Sequence, residues 1–371
     1  MSEYQCYEFV ALDRQLTSKE MAELRAISTR ADISPTRFWN EYHWGNLKAD
    51  PAKLVARYFD AHLYFANWGT RRFMLRFPAR SVDVAALKPY FIGDRAKLTK
   101  AGAFVVLDFW SDDEERGDEE EWFEGGRLAA LTPLRVQILQ GNFSGAYVAW
   151  LSSVQSGDVS NNIREPPVPS GLANPAAPIA TLAELLRVDR DLLAAAAEAS
   201  AAPAGDSKDL RAWVKARPIA EKDRWLLHAI DHPEAALGTE LRAAFRKGRA
   251  NGSSQPRRTA GELLARAEEL REARNAVEAV AAERAQVAAA RARAKELGRL
   301  AKRGQASWAD LAKLIEARSY DKAVKLAVDL RDLAERDGEV PAFGERFASL
   351  KKAHARRRGF FDAFKRKVQA S

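Results

Sequence analysis

The chain of 371 residues contains a single cysteine, Cys6, and no apolar run close to the ~20 residues that a membrane-spanning helix needs. One cysteine excludes an intrachain disulfide and any zinc site that needs several cysteines from one chain. The N-terminal segment also lacks the basic stretch and the apolar stretch of a signal peptide. We therefore expect a cytoplasmic protein without a membrane span.

Motifs that mark common enzyme families are missing as well. The sequence has no Walker A loop, no GxGxxG between a strand and a helix, no GxSxG and no HExxH. Its five histidines are scattered, so metal and nucleophilic catalysis have few candidate residues. We predict no catalytic residues, no bound metal and no cofactor.

A segment of strong helix formers covers residues 259–303, which are almost entirely Ala, Glu, Arg and Leu. Thr259 and Glu262 have the spacing of a capping box, which predicts where the helix begins. Gly304 follows two basic residues and predicts where it ends. The sequence therefore predicts one helix of roughly 65 Å.

This long helix has an incomplete coiled-coil pattern. Leu263, Leu270 and Val277 repeat every seven residues, but the next two positions of that column are Arg284 and Arg291. Two alternatives stay open. The helix self-associates with a second copy, or it packs along other helices of its own chain.

The N-terminal part mixes strand and helix patterns. Thr17 with Glu20 forms a second capping-box pattern, and Asp50 precedes Pro51 as an N-cap does. Runs rich in aromatic and β-branched residues predict strands at 4–11, 36–44, 62–66, 70–77 and 103–109. We predict a small α+β domain with a mostly antiparallel sheet, followed by an all-α region with one long helix and αα-hairpins. Helix should dominate overall.

Composition divides the chain into five segments. We expect an α+β domain ending in an αα-hairpin at 1–155, a Pro-rich linker at 156–178, a helical domain at 179–248, a second linker at 249–258, and the long helix with a helical hairpin and a basic tail at 259–371. Within the helical domain, Thr181 and Glu184 form another capping-box pattern. The acidic segment 112–121 carries too much like charge to pack, so we expect it to be solvated.

One polar cluster in the sheet domain has metal-ligand or acid–base chemistry. Glu41 and His43 are two residues apart, as are Asp60 and His62, so each pair projects from one face if its segment is extended. Convergence of the pairs would create a candidate site. The alternative is that these are ordinary polar residues on strands. Arg71 and Arg72 follow a Trp-Gly turn and are candidates for binding an anion, or alternatively face solvent and the rim of the core.

The C-terminal tail carries most of the net charge of +8. From residue 261 onward there are 25 Lys and Arg against 17 Asp and Glu, whereas the first 260 residues hold 34 of each. Residues 351–367 contain eight basic residues and one acidic residue, Asp362. The basic residues are Lys351, Lys352, Arg356, Arg357, Arg358, Lys365, Arg366 and Lys367.

Basic residues interleaved with aromatics suit a nucleic-acid backbone, an anionic lipid or an acidic protein groove. The alternative is a terminal helix whose aromatic face docks on the protein. That face would consist of Phe360, Phe361 and Phe364.

Two resemblances accompany these patterns. YEFVALDRQLT at 7–17, FDAHLYFANWGTRRFMLRFP at 59–78 and REPPVPSGL at 164–172 resemble an uncharacterised family of bacterial cytoplasmic proteins, a likeness that implies no activity. SYDKAVKLAVDLRDLAERDG at 319–338 with KKAHARRRG at 351–359 is similar to the helical tail of some bacterial SWIM zinc-finger proteins. Those fingers need a Cys/His quartet, which one cysteine does not supply, so the likeness implies the helical module without the finger.

The function predicted from these observations is that of a non-enzymatic interaction or scaffold protein with protein partners. One alternative is a nucleic-acid-associated protein that uses the basic tail. Another is a small-ligand or metal-dependent enzyme built on the N-terminal sheet.

Overall fold

A computed structural model describes residues 3–113, 126–201, 206–231, 237–250 and 257–369. Helix makes up 59% of the described residues, and a seven-stranded antiparallel sheet occupies the N-terminal part. The predicted fold class is therefore confirmed. Most of the predicted acidic segment and of the second predicted linker lies outside the described residues.

The sheet is antiparallel throughout and has the order β2-β3-β1-β4-β5-β7-β6. Its strands are β1 (Gln5–Val10), β2 (Asp32–Ser34), β3 (Arg37–Tyr42), β4 (Ala61–Ala66), β5 (Arg71–Pro78), β6 (Ala96–Ala101) and β7 (Phe104–Ser111). All five predicted strands are present. The two edge strands, β2 and β6, were not predicted, because a three-residue strand and the Lys- and Ala-containing AKLTKA lack the residues that favour strands.

Sixteen α-helices occur in the described part of the chain. Up to the long helix they are α1 (Ser18–Ile27), α2 (Pro51–Arg57), α3 (Val84–Leu87), α4 (Arg127–Leu131), α5 (Pro133–Leu139), α6 (Ser144–Gln155), α7 (Ala177–Leu185), α8 (Arg190–Ala197), α9 (Asp206–Lys215), α10 (Ile219–Asp231) and α11 (Leu237–Ala250). They are followed by α12 (Ala260–Arg303), α13 (Gln305–Glu316), α14 (Tyr320–Asp337), α15 (Val340–Ala353) and α16 (Arg358–Gln369). None of the helices in these ranges is both long and apolar enough to cross a membrane.

One face of the sheet packs against α1 and α2. Phe9, Phe38 and Met74 from the strands join Leu24 of α1 and Phe59, which follows α2, in one core. These side chains are almost completely buried, and full burial of such a side chain stabilises a fold by about 1.5–3 kcal/mol. Both helices begin at the predicted caps.

The opposite face packs against helices α3 to α8. Phe73 and Leu107 from the strands lie in one core with Tyr147 and Trp150 of α6. Every residue of α6 from 144 to 154 is buried, so this helix is covered on all sides. The predicted αα-hairpin is formed by α5 and α6, with Gly141 at φ +82° between them.

Residues 156–178, predicted as a Pro-rich linker, have little regular structure before α7 but pack against their surroundings. Val159, Glu165 and Leu172 are almost fully buried within this segment. Hydrogen bonds run between Ile163 and Ala260 and between Glu165 and Arg258. The segment is therefore part of the folded body that carries the start of α12.

Two compact units make up the chain, Met1–Ala273 and Arg274–Ser371. This division differs from the five segments expected from composition. Proline and glycine mark where a helix stops, but they do not tell whether the irregular segment that follows is packed.

The long helix α12 begins at the predicted capping box. The Thr259 N–H donates to Glu262 Oε2 at 2.7 Å, and the Glu262 N–H donates to Thr259 Oγ1 at 3.2 Å. It ends at Arg303, before Gly304. Every residue from 275 to 292 is exposed, and a solvated helix of this kind depends on its own helix formers and charge pairs. Whether α12 self-associates stays a prediction.

The capping-box pattern at Thr181 predicted a helix start that is wrong. Helix α7 begins four residues earlier, at Ala177, with Pro178 in its first turn. The Thr181 hydroxyl instead donates to the Ala177 carbonyl at 3.0 Å from inside the helix. A proline in the first turn is pre-organised for helix, which explains the earlier start.

The second unit has its own core, built on the predicted hairpin of α13 and α14. Leu311, Ile315, Ala327 and Leu330 are buried there together with Phe360 of α16. Gly338 ends α14 in a left-handed conformation at φ +73°, the usual way in which glycine stops a helix.

Candidate functional site

The four residues of the predicted N-terminal cluster are placed apart. Glu41 pairs with Cys6 across β3 and β1, whereas His62 pairs with Phe9 across β4 and β1. Cys6 and Phe9 are three residues apart on one strand, so Glu41 and His62 project from opposite faces of the sheet. Among the described residues no group of three or more Asp, Glu, His or Cys side chains could hold a metal ion.

Glu41 and His43 lie at the surface, at the end of β3. The Tyr4 hydroxyl donates to Glu41 Oε2 at 3.0 Å, and the Tyr4 and His43 rings lie 5.3 Å apart. Burial, the nearby Cys6 and the hydrogen bond to Glu41 raise the pKa of the Tyr4 hydroxyl above its usual range. Tyr4 is therefore a protonated hydrogen-bond donor.

Asp60 is part of a buried ion pair. Its Oδ1 lies 2.7 Å from Arg76 Nη2, and the two side chains are 1% and 4% exposed. The backbone N–H groups of Leu12 and Asp13 donate to its other oxygen at 2.6 and 2.9 Å. Burial by itself raises the pKa of Asp60, but these hydrogen bonds and Arg76 lower it overall. Both carboxylate oxygens of Asp60 therefore accept hydrogen bonds from groups of the protein itself.

His62 is completely buried and stacks on Phe9, with ring centroids 3.9 Å apart. Its Nδ1 lies 2.9 Å from the Glu8 carbonyl. Burial lowers the pKa of His62 to about 3, despite the opposing effect of that hydrogen bond. The imidazole is therefore neutral at physiological pH and does not reach solvent to exchange protons.

Cys6 does not supply a nucleophile. Burial raises the pKa of its thiol to about 12, and the negative charge of Glu8 adds to the increase. The thiolate is the reactive form of cysteine, so this thiol is inert near neutral pH.

The predicted anion-binding pair also separates. Arg71 is buried on the face of the sheet that packs against α3 to α8, and it donates to the Glu184 carbonyl at 3.0 Å. Arg72 lies on the other face and binds Asp108 through two hydrogen bonds of 2.9 and 2.7 Å. Each guanidinium is therefore engaged within the protein.

Arg72 contributes to a groove that the sequence did not indicate. The groove has a volume of about 510 Å³, and the antiparallel register sets its floor by placing Arg72 opposite Trp110 and Lys97 opposite Asp108. The Arg72 guanidinium lies 5.1 Å from the centre of the Trp110 ring. The lining residues are Arg72, Asp94, Arg95, Lys97, Asp108, Trp110, Asp112 and Asp158.

The charges of this groove are mostly compensated within it. Arg72 pairs with Asp108, Lys97 lies 3.1 Å from Asp94, and Arg95 lies 3.9 Å from Asp158. The described residues that line the groove include no serine, cysteine or histidine. The alternation of side chains along the strands could have indicated this groove. It was missed because β6 was not predicted as a strand from its composition.

The basic tail forms a folded surface on the second unit. Lys351 and Lys352 lie in the last turn of α15, Arg356 and Arg357 lie in the connection, and Arg358 begins α16. The other three members, Lys365, Arg366 and Lys367, lie further along α16. We call these eight residues the C-terminal basic surface. All are exposed except Arg357, which is half-buried.

This surface is poor in compensating acids. Residues 274–371 contain 23 Lys and Arg against 13 Asp and Glu, a net charge of +10. Several carboxylates of α14 are paired elsewhere, for example Asp329 and Asp332 with Arg293. In the described part of the chain, no ion pair joins a carboxylate to Lys351, Lys352, Arg356, Arg357, Arg358, Lys365 or Arg366.

The aromatic residues of the tail face the protein. Phe360 is fully buried, and the Phe364 ring lies 4.7 Å from that of Phe347 on α15. Gly359 makes this docking tight, since a Cβ there would lie 3.2 Å from the Tyr320 ring. The aromatic face therefore docks on the second unit, which was one of the two alternatives given from the sequence. The basic side chains face solvent.

Searches of family models, of curated proteins and of solved structures find no match to this chain. The two resemblances drawn from the sequence therefore stay predictions.

Proposed function

We propose that this is a non-enzymatic interaction protein whose second unit binds the phosphate backbone of a nucleic acid through the C-terminal basic surface. The observation that carries the proposal is a set of basic side chains on a folded helical turn, seven of which form no ion pair with a carboxylate in the described part of the chain. Exposed basic side chains attract phosphates, and the release of counterions from the nucleic acid further increases the affinity.

The docked aromatic face favours nucleic acid over a lipid bilayer. An amphipathic helix that binds a membrane inserts its apolar face between the lipids. Phe360 is fully buried within the second unit, and Phe361 and Phe364 pack beside it, so insertion would require the unit to open.

The same docking argues against readout of bases. Phe360 and Phe364 are engaged in the core and are not available to stack on unpaired bases. Contacts to phosphates alone position a protein without reading sequence. We therefore expect duplex binding that is nearly independent of base sequence.

Titration of the full chain against two labelled duplexes of unrelated sequence tests this proposal. With some five phosphate contacts, the log–log dependence of affinity on salt should have a slope of about −4 to −5. Both duplexes should bind with similar affinity. Binding to phosphatidylserine vesicles but not to duplex, or a slope near zero, would contradict the proposal.

A matched pair of charge variants locates the surface. The variant R356Q/R358Q/K365Q/R366Q should weaken duplex binding at least tenfold near physiological salt and make the salt slope shallower by about 3–4. The control K295Q/K302Q/K322Q/K325Q removes four exposed charges from the same unit outside the surface. Equal losses in both variants would mean that general charge, and not this surface, binds the duplex.

A further inference from the structure

A second uncovered surface lies on helix α10 in the first unit. Among the side chains of 206–250 that the structure describes, Phe245 is the only buried hydrophobic one. It packs with Trp213, whose ring stacks at 5.8 Å on that of Trp225 from α10. The described side chains of the three helices α9, α10 and α11 bury little apolar surface, and this burial offsets little of the entropy cost of ordering the helices.

The other face of α10 carries large aliphatic side chains in solvent. Their exposures are 76% for Ile219, 61% for Leu226, 59% for Leu227 and 72% for Ile230. Positions i, i+7, i+8 and i+11 lie on one side of a helix. Trp225 lies on the opposite side, so the aliphatic residues form a single stripe, which we call the α10 patch.

We propose that the α10 patch pairs with the same patch of a second copy of this chain, making the protein a homodimer. The exposed parts of the four side chains amount to roughly 500 Å² per chain, so pairing removes about 1,000 Å², the lower bound for a specific interface. The largest apolar patch on a typical monomer is about 300–600 Å² and is often functional, and the α10 patch lies in that range.

The charges beside the patch suit a second copy. The charged residues of α10 nearest the stripe in helical rotation are Asp223 and Asp231, which are negative, and Lys222 and Arg224, which are positive, so the patch has no net charge from its neighbours. Two identical surfaces therefore meet without net repulsion, as an isologous interface requires. A strongly basic or acidic partner would gain nothing from this neutral border.

Light scattering of the full chain over a range of concentrations tests the proposal. The wild type should be dimeric at micromolar concentration, and L226D/I230D should be monomeric with an unchanged circular dichroism spectrum. The control V277D/V280D places the same charges on the exposed part of α12 and should remain dimeric. A monomeric wild type, or dimer loss only in the α12 control, would overturn the proposal.

The single native cysteine permits a second test that does not depend on a disruptive variant. In a Cys6→Ser background, Asp223→Cys lies close to the middle of the patch and should cross-link to its own copy with a short bismaleimide. Val277→Cys in the same background should stay uncross-linked. Absence of cross-linking at Asp223→Cys in dimeric protein would overturn the assignment to α10. Neither test involves nucleic acid, so the outcome is independent of the proposed duplex binding.

Discussion

The guanidinium of Arg258 binds the buried carboxylate of Glu165 through two hydrogen bonds of 3.0 Å each. Arg258 also donates to the Ala195 carbonyl at 2.8 Å, and the Tyr147 hydroxyl donates to the same carboxylate. Burial, with the nearby charge of Glu165, raises the pKa of Tyr147 and keeps it a donor. The residue before the cap of the longest helix is thus fixed to an irregular segment, to α6 and to α8.

Replacing Arg258 with Met should lower the free energy of unfolding of the first unit by about 3–5 kcal/mol, because the charge of Glu165 would stay buried without its cation. Urea unfolding followed by tryptophan fluorescence measures the loss. Arg257→Met, at the exposed neighbouring position, should change stability by less than about 0.5 kcal/mol. If the uncompensated charge of Glu165 causes this loss, the double variant Arg258→Met/Glu165→Gln should have a higher free energy of unfolding than Arg258→Met.

His62 should make the first unit sensitive to acid. Its pKa is about 3 in the folded protein and near 6.5 in an unfolded chain. Between these values the unfolded state binds a proton that the folded state does not, so stability falls as the pH falls, by up to about 1.4 kcal/mol per pH unit. Urea unfolding at several pH values from 7 to about 4 measures this slope.

His62→Phe should have a shallower slope, because phenylalanine can stack on Phe9 but does not titrate. His43→Gln is the matched control, because it removes an exposed histidine from the same domain and leaves the buried His62 in place. An unchanged slope in His62→Phe would show that His62 is already charged, or already accessible to protons, in the folded state.

Asp60→Asn should destabilise the first unit by about 3–5 kcal/mol, because it leaves the buried Arg76 without a counter-charge. The pKa of Asp60 is lowered in the folded state, so its stabilising effect is present above the unfolded pKa of about 3.9 and is lost as the pH falls below it. The difference between wild type and Asp60→Asn should therefore shrink in strong acid. Asp94→Asn, whose side chain is 91% exposed, should be nearly neutral.

Phe360→Ala should loosen the second unit and cost about 3–5 kcal/mol, the usual loss for truncating a buried phenylalanine. Hydrogen exchange measured peptide by peptide resolves this unit from the first, and faster exchange should appear in α14 and α16. Val340→Ala, at a half-exposed apolar position in the same unit, should leave exchange close to wild type. Unchanged protection in Phe360→Ala would mean that the tail helix does not contribute to this core.

Local chemistry in the sequence predicted the elements well where one residue type decides the outcome. The pairs Thr17 with Glu20 and Thr259 with Glu262 begin helices as expected, because a cap satisfies backbone N–H groups that a helix start leaves unpaired. The same spacing at Thr181 was misleading, since Pro178 allowed the helix to begin earlier. A capping-box pattern predicts a helix start only where the residues before it are not already helical.

Candidate sites were harder to predict, because they depend on which faces the strands present. Glu41 and His62 have suitable chemistry, but β1 lies between their strands and the register turns them to opposite faces. The groove beside Trp110 arises from pairing between β5, β7 and β6. That pairing is long-range, and β6 owes its strand conformation to its partner more than to its own residues.

The sequence by itself determined the fold class, the caps and length of the long helix, the aromatic and basic sides of the tail helix, and the position of the excess charge. These follow from local conformational preference and from composition. Tertiary structure alone decided that residues 156–178 are packed, that His62 and Asp60 are buried, that Phe360 closes a core, and that the α10 patch is uncovered. Burial is a property of what surrounds a side chain, and the surroundings come from residues that lie far apart along the chain.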